Sequence, residues 1–256
     1  MTGAGSGLGR ALAIGLMGRG LVVAGLGRDG QKLNETGKLS GSPERFHGFT
    51  CDISDFAQLS ESFARIRQIG DISILINNAA SYPRRDFLDE SPASFMETVA
   101  INLGGMAACC RLAIDDMIQA GRGRILNVVS FADLAPQSGS SAYSVSKGAC
   151  RILTNALVAD LHERYPKIII SSWAPGILNT QMGATDGLDP AMSARWGVEL
   201  ALSDDPALNG ALWERDAELA PPRSLKSRIL DRFLMRNAPS RGHISGLVTR
   251  NRSLHP

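Results

Sequence analysis

With 256 residues, a net charge of +2 and 44% apolar residues, the chain has the size and balance of one globular domain with a sizeable core. Its four cysteines, Cys51, Cys109, Cys110 and Cys150, match neither a disulfide framework nor zinc-ligand spacing, and its four histidines are scattered. No apolar run reaches the ~18 residues of a membrane span, and no charged-then-apolar leader opens the chain. Reduced thiols, no metal, no nucleic-acid partner and a cytoplasmic setting are therefore expected.

The chain opens inside a glycine-rich loop, MTGAGSGLGR, followed by a helical pattern from Leu8 to Arg19. Then come a strand-like run LVVAGL (Leu21 to Leu26), a short strand in FHGFTCDI, a helix from Ala57 to Gln68 and a strand from Ile72 to Asn77. Further along, the pattern predicts a helix over Pro92 to Ala120, a strand over Arg124 to Ser130, a helix over Ser141 to Tyr165, a strand over Ile168 to Ala174 and a last one near Gly210 to Glu214. Continuous apolar runs alternating with helices imply an α/β fold: a doubly wound parallel sheet with helices on both faces and its ligand crevice at the carboxyl ends of the strands. The helix from Ser94 to Ala120 is apolar nearly all round, so part of its burial is expected from another subunit, in a homo-oligomer, with a wholly intramolecular core helix the alternative.

Charge divides the chain near Pro221. From there on, eight basic residues stand against Asp231 alone, a net +7 against −5 for the rest. Residues 1–220 are read as a single domain and 221–256 as a basic extension. Within it, Ser224 to Arg236 places Leu225, Ile229, Phe233 and Leu234 on one face of an amphipathic helix. Docking on the chain's own pocket or subunit interface is the favoured reading, and peripheral membrane contact through 224–236 the alternative. Low order is expected from Asn237 to Pro256.

Two motifs carry chemistry. In TGAGSGLG, the glycines Gly3, Gly7 and Gly9 let backbone N–H groups approach a pyrophosphate, with the positive end of the next helix behind them. The spacing differs from G-x-G-x-x-G, so a ligand-free turn remains open at this point. In Tyr143-Ser-Val-Ser-Lys147, a separation of four puts both side chains on one helical face. An ammonium there favours the tyrosinate; moving a phenol from ~10 to ~7 takes roughly 4 kcal/mol and makes it a proton donor and acceptor at neutral pH. A plain surface pair is the alternative.

Taken together, TGAGSGLG, the NNAA of Asn77 to Ala80, Ser130 thirteen residues before Tyr143, YSVSK, and Pro175-Gly176 followed by Thr180 resemble the short-chain dehydrogenases/reductases from Thr2 to about Thr180. The resemblance implies a Rossmann-like fold. It also implies a general acid/base at Tyr143, a ribose contact at Lys147, a substrate-oxygen donor at Ser130 and a water-anchoring Asn102. Cofactor contacts are implied at Gly3, Ser6, Gly7, Leu8, Gly9, Asp52, Ile53, Asn78, Ala79, Pro175, Gly176, Ile177 and Thr180. Ala80 stands where the family usually has glycine. At the end of LVVAGL, Gly27 occupies the place where an acidic residue would hold the ribose 2′-hydroxyl, and Arg28 follows with a guanidinium suited to phosphate. NADP is the expected cofactor, with NAD the alternative if Asp29 turns back to the ribose.

The expected activity is hydride transfer between that cofactor and a hydrophobic carbonyl or secondary alcohol. The alternatives are an isomerase, epimerase or dehydratase on the same scaffold, or a cofactor-binding interaction protein without turnover. Phe131, Leu134, Ile177 and the stretch after Thr180 are expected to wall the pocket, with help from Ser81 to Arg85; Arg84 and Arg85 are read as solvated loop residues, with contact to an anionic group the alternative. One feature conflicts with the resemblance: the family's loop follows a buried central strand, and here only Met1 stands in its place. A gap of ~9–10 Å is expected between LVVAGL and ISILIN. The expectation that follows is a natural start some five to ten residues upstream, with a degenerate or regulatory family member as the rival.

Overall fold

The structure, a computed structural model, describes residues 1–219 and 242–247. The glycine loop runs directly into α1 (Gly7–Gly18), whose Leu8, Leu12, Ala13, Leu16 and Met17 form one buried stripe. Strand β1 (Val23–Gly27) pairs in parallel with β2 (Phe46–Thr50). The crossover between them is α2 (Gly30–Leu39), a helix the sequence pattern does not single out. Only Leu33, Thr36 and Gly37 of it are buried, too few to make an apolar stripe. Helix α3 (Phe56–Arg67) starts at Asp55, whose carboxylate accepts from the Ala57 and Gln58 N–H groups at 3.0 and 3.1 Å.

The second half begins with β3 (Ile74–Asn77) and a long apolar stretch in three parts: α4 (Pro92–Val99), a π-helical turn (Ala100–Gly104) and α5 (Gly105–Ala120). Then follow β4 (Gly123–Val128), α6 (Ser141–Leu161), β5 (Ile168–Ala174), α7 (Pro190–Leu202), β6 (Leu212–Glu214) and β7 (Ala217–Leu219). Strands β3 to β6 are parallel neighbours in chain order, and β7 closes the edge antiparallel to β6. Every residue of β5 is buried, as its unbroken run Ile168–Ala174 implies. On one face of the sheet, α1 and α7 enclose Leu12, Trp173, Val198 and Trp213. On the other, α3 and α5 enclose Phe63, Cys109, Met117 and Ile125. The doubly wound reading holds.

The expected gap is present. Strands β1–β2 and β3–β7 are separate sheets. What joins them is the chain start: Met1–Ala4 runs between β1 and β3, with Thr2 bridging in parallel to Leu26.

Three expectations change. Pro92–Ala120 is long and apolar enough to cross a membrane by length and composition, although the apolar-run criterion picks out no such segment. In this fold α5 turns Met106, Cys109, Ala113 and Met117 into the core, while Arg111 and Asp115 pair at 2.5 Å on its exposed side. The helix therefore has a polar face, contrary to the all-round apolar reading. Finally, Gly242–Leu247 is not a tail without anchors. The Glu218 N–H donates to the Gly242 carbonyl at 2.9 Å, the Ile244 N–H donates to the Asp216 carbonyl at 3.0 Å, and Ile244 and Leu247 are buried. The predicted amphipathic helix at 224–236 lies outside the described residues.

All four cysteines are buried free thiols. Burial pushes Cys109 and Cys110 up to about 12, which makes them core residues rather than nucleophiles.

Candidate active site

Ser130 lies two residues past β4, where the chain turns into a short 3-10 segment, Phe131–Asp133. Its hydroxyl accepts from the Ala132 N–H at 3.1 Å, which fixes the oxygen at the carboxyl edge of the sheet. This turn is docked on α6 by an Asp133–Arg151 ion pair at 2.8 Å. Gly148 makes the approach possible, since a Cβ there would already lie 3.1 Å from the Asp133 Cβ. Tyr143 and Lys147 sit one turn apart near the start of α6. The Lys147 ammonium is 6.0 Å from the Tyr143 ring centroid and donates to the Val128 carbonyl at 2.8 Å. That carbonyl ends β4, so one lysine hydrogen bond ties the helix to the strand leading to Ser130. Lys147 is buried, and among the described residues no carboxylate pairs with it. The ammonium thus keeps two donors for a ligand.

Asn102 falls inside the π-helical turn, where the widened helix re-aims its groups. Its side chain is fully engaged. It accepts from the Ser81 N–H at 2.7 Å and donates to the Ser81 carbonyl at 3.0 Å and to Ser146 Oγ at 2.9 Å. Its backbone carbonyl accepts from the Cys150 thiol at 3.3 Å. Asn102 therefore ties the strand-end loop after β3 to α6, one residue away from Lys147.

The glycine loop is shaped by steric necessity. Gly3 has φ +68°, and a Cβ on Gly9 would lie 1.9 Å from the Gly3 carbonyl oxygen. Ser6 is exposed and makes no side-chain cap, so the first-turn N–H groups of α1 stay open to an anion. Leu8, by contrast, is buried in the core. Thr2 locks the loop to the end of β3: its hydroxyl accepts from the Asn78 and Ala79 N–H groups, each at 3.0 Å. Asn78 returns the contact, donating to the Thr2 and Gly3 carbonyls at 3.2 and 3.3 Å. Asn77 points elsewhere, donating to Asn127 at 2.8 Å in a buried chain that continues to Thr154.

At the β1 end, Arg28 is exposed and its guanidinium has no ion pair or hydrogen bond among the described residues. Asp29 is committed: its Oδ1 accepts from the Gln31 and Lys32 N–H groups at 3.0 and 3.1 Å, and Lys32 Nζ lies 3.6 Å from Oδ2. Those bonds, led by the one from the Lys32 backbone, hold its carboxyl below the usual range. Asp52, past the end of β2, accepts from the Ser54 N–H and hydroxyl at 2.9 and 2.6 Å. Ile53 is buried against Gly105.

After β5, the Pro175 carbonyl accepts from the Ser193 hydroxyl at 3.1 Å and Gly176 turns at φ +88°. Thr180 comes back to the glycine loop, where a Cβ on Gly7 would stand 3.1 Å from the Thr180 methyl. Ile177 and Leu134 are exposed at the mouth, at 60% and 65%. Tyr82 stacks on Tyr143, centroids 4.4 Å apart and rings within 20° of parallel. Arg84 lies over Tyr82 and donates to the Met182 and Gly183 carbonyls at 3.0 and 2.6 Å. Arg85 pairs with Glu90 at 2.9 Å. Both arginines are solvent-facing as expected, Arg84 exposed and the Arg85 side chain 40% exposed, and each is also engaged by these contacts. The stack and the strap were missed because they join positions far apart in the chain. The one local sign is the backbone of Arg84, at φ +50°.

The fold and this arrangement agree with comparison to known proteins. The family model of the short chain dehydrogenases matches residues 1–190. The chain belongs to the short-chain dehydrogenase family. Among its relatives is "Probable oxidoreductase EphD" of Mycobacterium tuberculosis, 32% identical over 193 residues, which are 73% of this chain and 32% of that protein. The chain thus spans about a third of that relative's length. Another is the 2-(R)-hydroxypropyl-CoM dehydrogenase of Xanthobacter autotrophicus, 31% identical over 193 residues, 71% of this chain and 74% of that one. Dehydrogenase/reductase SDR family member 11 of Homo sapiens is 30% identical over 189 residues, covering 71% and 73% of the two chains. The crystal structure of a short chain dehydrogenase from Bacillus anthracis shares the fold with a TM-score of 0.77 at 24% identity, over 84% of this chain and 92% of that one.

Proposed function

We propose that this chain is an NADP(H)-preferring oxidoreductase acting on a carbonyl or secondary alcohol with an apolar body. The observation that carries the reading is the Tyr143–Lys147 pair, anchored through Val128 to the strand that presents Ser130. A nicotinamide dinucleotide fits the residues present. The uncapped α1 N-terminus with Gly3, Gly7 and Gly9 suits its pyrophosphate, Thr180 stands across from Gly7, and Lys147 keeps donors for a ribose. When bound, that cofactor supplies or accepts the hydride. In the reducing direction the Tyr143 hydroxyl gives its proton to the substrate oxygen, and Ser130 donates a hydrogen bond to the same oxygen as charge develops on it. Lys147 steadies the phenolate left behind; in the oxidising direction the phenolate takes the alcohol proton back.

The preference for NADP rests on Arg28, exposed and unengaged, and on Asp29, whose carboxylate is occupied by the α2 cap and Lys32. Turnover with NADPH and NADH, compared for the parent chain and Arg28→Ala, tests it. We expect the NADPH advantage to fall about tenfold in the variant, the scale of one charge-assisted contact; an unchanged ratio overturns the assignment. Leu134, Ile177 and Tyr82 at the mouth support the apolar substrate body. For a homo-oligomer, the support is a packed α4–α6 pair that leaves Met96, Val145 and Ile152 exposed.

A further inference from the structure

Tyr143 stands in the first turn of α6, half-buried, and its phenol oxygen makes no hydrogen bond among the described residues. An aromatic side chain on a helix has two open χ1 wells, and they send its far end in different directions. What touches the ring therefore decides where the phenol points. One contact is broad: Tyr82 lies against Tyr143 with centroids 4.4 Å apart and planes within 20° of parallel, a spacing at which aromatic pairs attract. The backbones under the two rings are joined as well. Asn102 accepts from the Ser81 N–H at 2.7 Å and donates to the Ser81 carbonyl at 3.0 Å, which fixes the residue before Tyr82. The same amide donates to Ser146 Oγ at 2.9 Å, and Ser146 donates to the Tyr143 carbonyl at 2.8 Å. Beyond Tyr82 the chain has little freedom. The ring of Pro83 locks its φ, and Arg84 adopts φ +50°, which a residue with a Cβ keeps only where its surroundings impose it. A Cβ on Gly139 would stand 3.5 Å from the backbone of Arg84 and Arg85, so the loop after Ser130 packs on the same segment.

We infer that Tyr82 is a positioning residue for Tyr143: its ring, held through the Asn102 clamp on Ser81, keeps the phenol in one χ1 well. The inference rests on the reading of Tyr143 as proton donor and acceptor. Proton transfer needs the phenol oxygen in one place, and the stack supplies that before substrate arrives. A near-parallel ring covers a face of Tyr143 and leaves its oxygen free at the edge, whereas a swing to the other χ1 well breaks the ring contact. The Tyr82 hydroxyl makes no hydrogen bond among the described residues, so the ring itself does the holding. Arg84 has a separate part. It is exposed, and its guanidinium, 5.3 Å from the Tyr82 centroid, carries the 178–187 loop through the Met182 and Gly183 carbonyls.

The test removes the ring in Tyr82→Leu and Tyr82→Met and keeps it in Tyr82→Phe, in the full chain. With three tyrosines in the chain, ring-labelled tyrosine gives few NMR signals, and Tyr143→Phe assigns those of Tyr143. In the cofactor-free protein the Tyr143 signals are expected to carry a ring-current shift that Tyr82→Phe keeps and the two ringless variants lose. In reduction of an aryl ketone with NADPH, the ringless variants are expected to lower kcat about tenfold, the upper scale of one aromatic pair, with KM within about threefold. Tyr82→Phe is expected to hold kcat within about twofold of the parent. Tyr143 signals that stay in place without the Tyr82 ring overturn the inference. So does a rise in KM at unchanged kcat, which leaves Tyr82 a substrate wall only. A crippled Tyr143→Phe beside fully active ringless variants sinks the inference alone, whereas a fully active Tyr143→Phe sinks the reading on which it rests.

Discussion

The two halves of the molecule hold their parts of the site in different ways. Ser130, Tyr143 and Lys147 stand on β4 and α6, beside an unbroken run of paired strands and a fully buried β5. The glycine loop, Arg28 and Asp52 stand on or beside β1–β2, which join the other half through Met1–Ala4, the Thr2–Asn78 contacts and the packing of α1 on α7 and α3 on α5, with no strand-to-strand ladder between the two sheets. Proton chemistry needs groups held to fractions of an ångström, whereas an anion is gripped by several backbone donors that adjust together. On the proposed function, the half with the unbroken sheet carries the proton chemistry and the half on β1–β2 carries the nucleotide.

The sharpest way to break this comparison is Tyr143→Phe. It is expected to lower kcat by about a thousandfold while cofactor affinity, read by fluorescence titration, stays within a few-fold. Gly9→Ala strikes the other half. Its Cβ meets the Gly3 carbonyl, so we expect a loss of stability of about 2–3 kcal/mol in urea unfolding, with weakened cofactor binding.

The junction itself has a pH signature. Burial lowers the Met1 amine from 8.0 to about 6. Between those values the unfolded chain binds more protons than the folded one, so stability rises with pH. The expected gain from about pH 6 to 8 is roughly 2 kcal/mol in urea unfolding, and acetylating the amine should flatten that rise. The smallest effect is expected at the strap. Arg84→Ala frees the 178–187 loop from Tyr82, and we expect KM to rise about threefold with kcat nearly unchanged. An equal fall in kcat would mean that the strap also orients Tyr143.

Much of this was legible along the chain. Continuous apolar runs gave β3, β4 and β5 to within two residues, since a strand buried on both faces has few polar positions to blur it. Helix α2 escaped because its few buried positions leave no stripe, and β7 because three residues carry no period. The long apolar stretch reads as one helix. Its π-helical turn is visible only once Asn102 is seen tied to Ser81 and Ser146.

By itself the sequence determined which residues could do chemistry: a phenol and an ammonium four apart, glycines where a Cβ cannot fit, and an arginine at a strand end with no carboxylate before it. Those are local facts, set by spacing and side-chain chemistry. Tertiary structure alone decided what those residues face. It laid Tyr82 on Tyr143, tied Asn102 to Ser81 and Ser146, and gave the Lys147 ammonium the Val128 carbonyl. Most of these contacts join positions distant along the chain, as Tyr82 and Tyr143 are, and depend on how strands and helices stack, which no local pattern encodes.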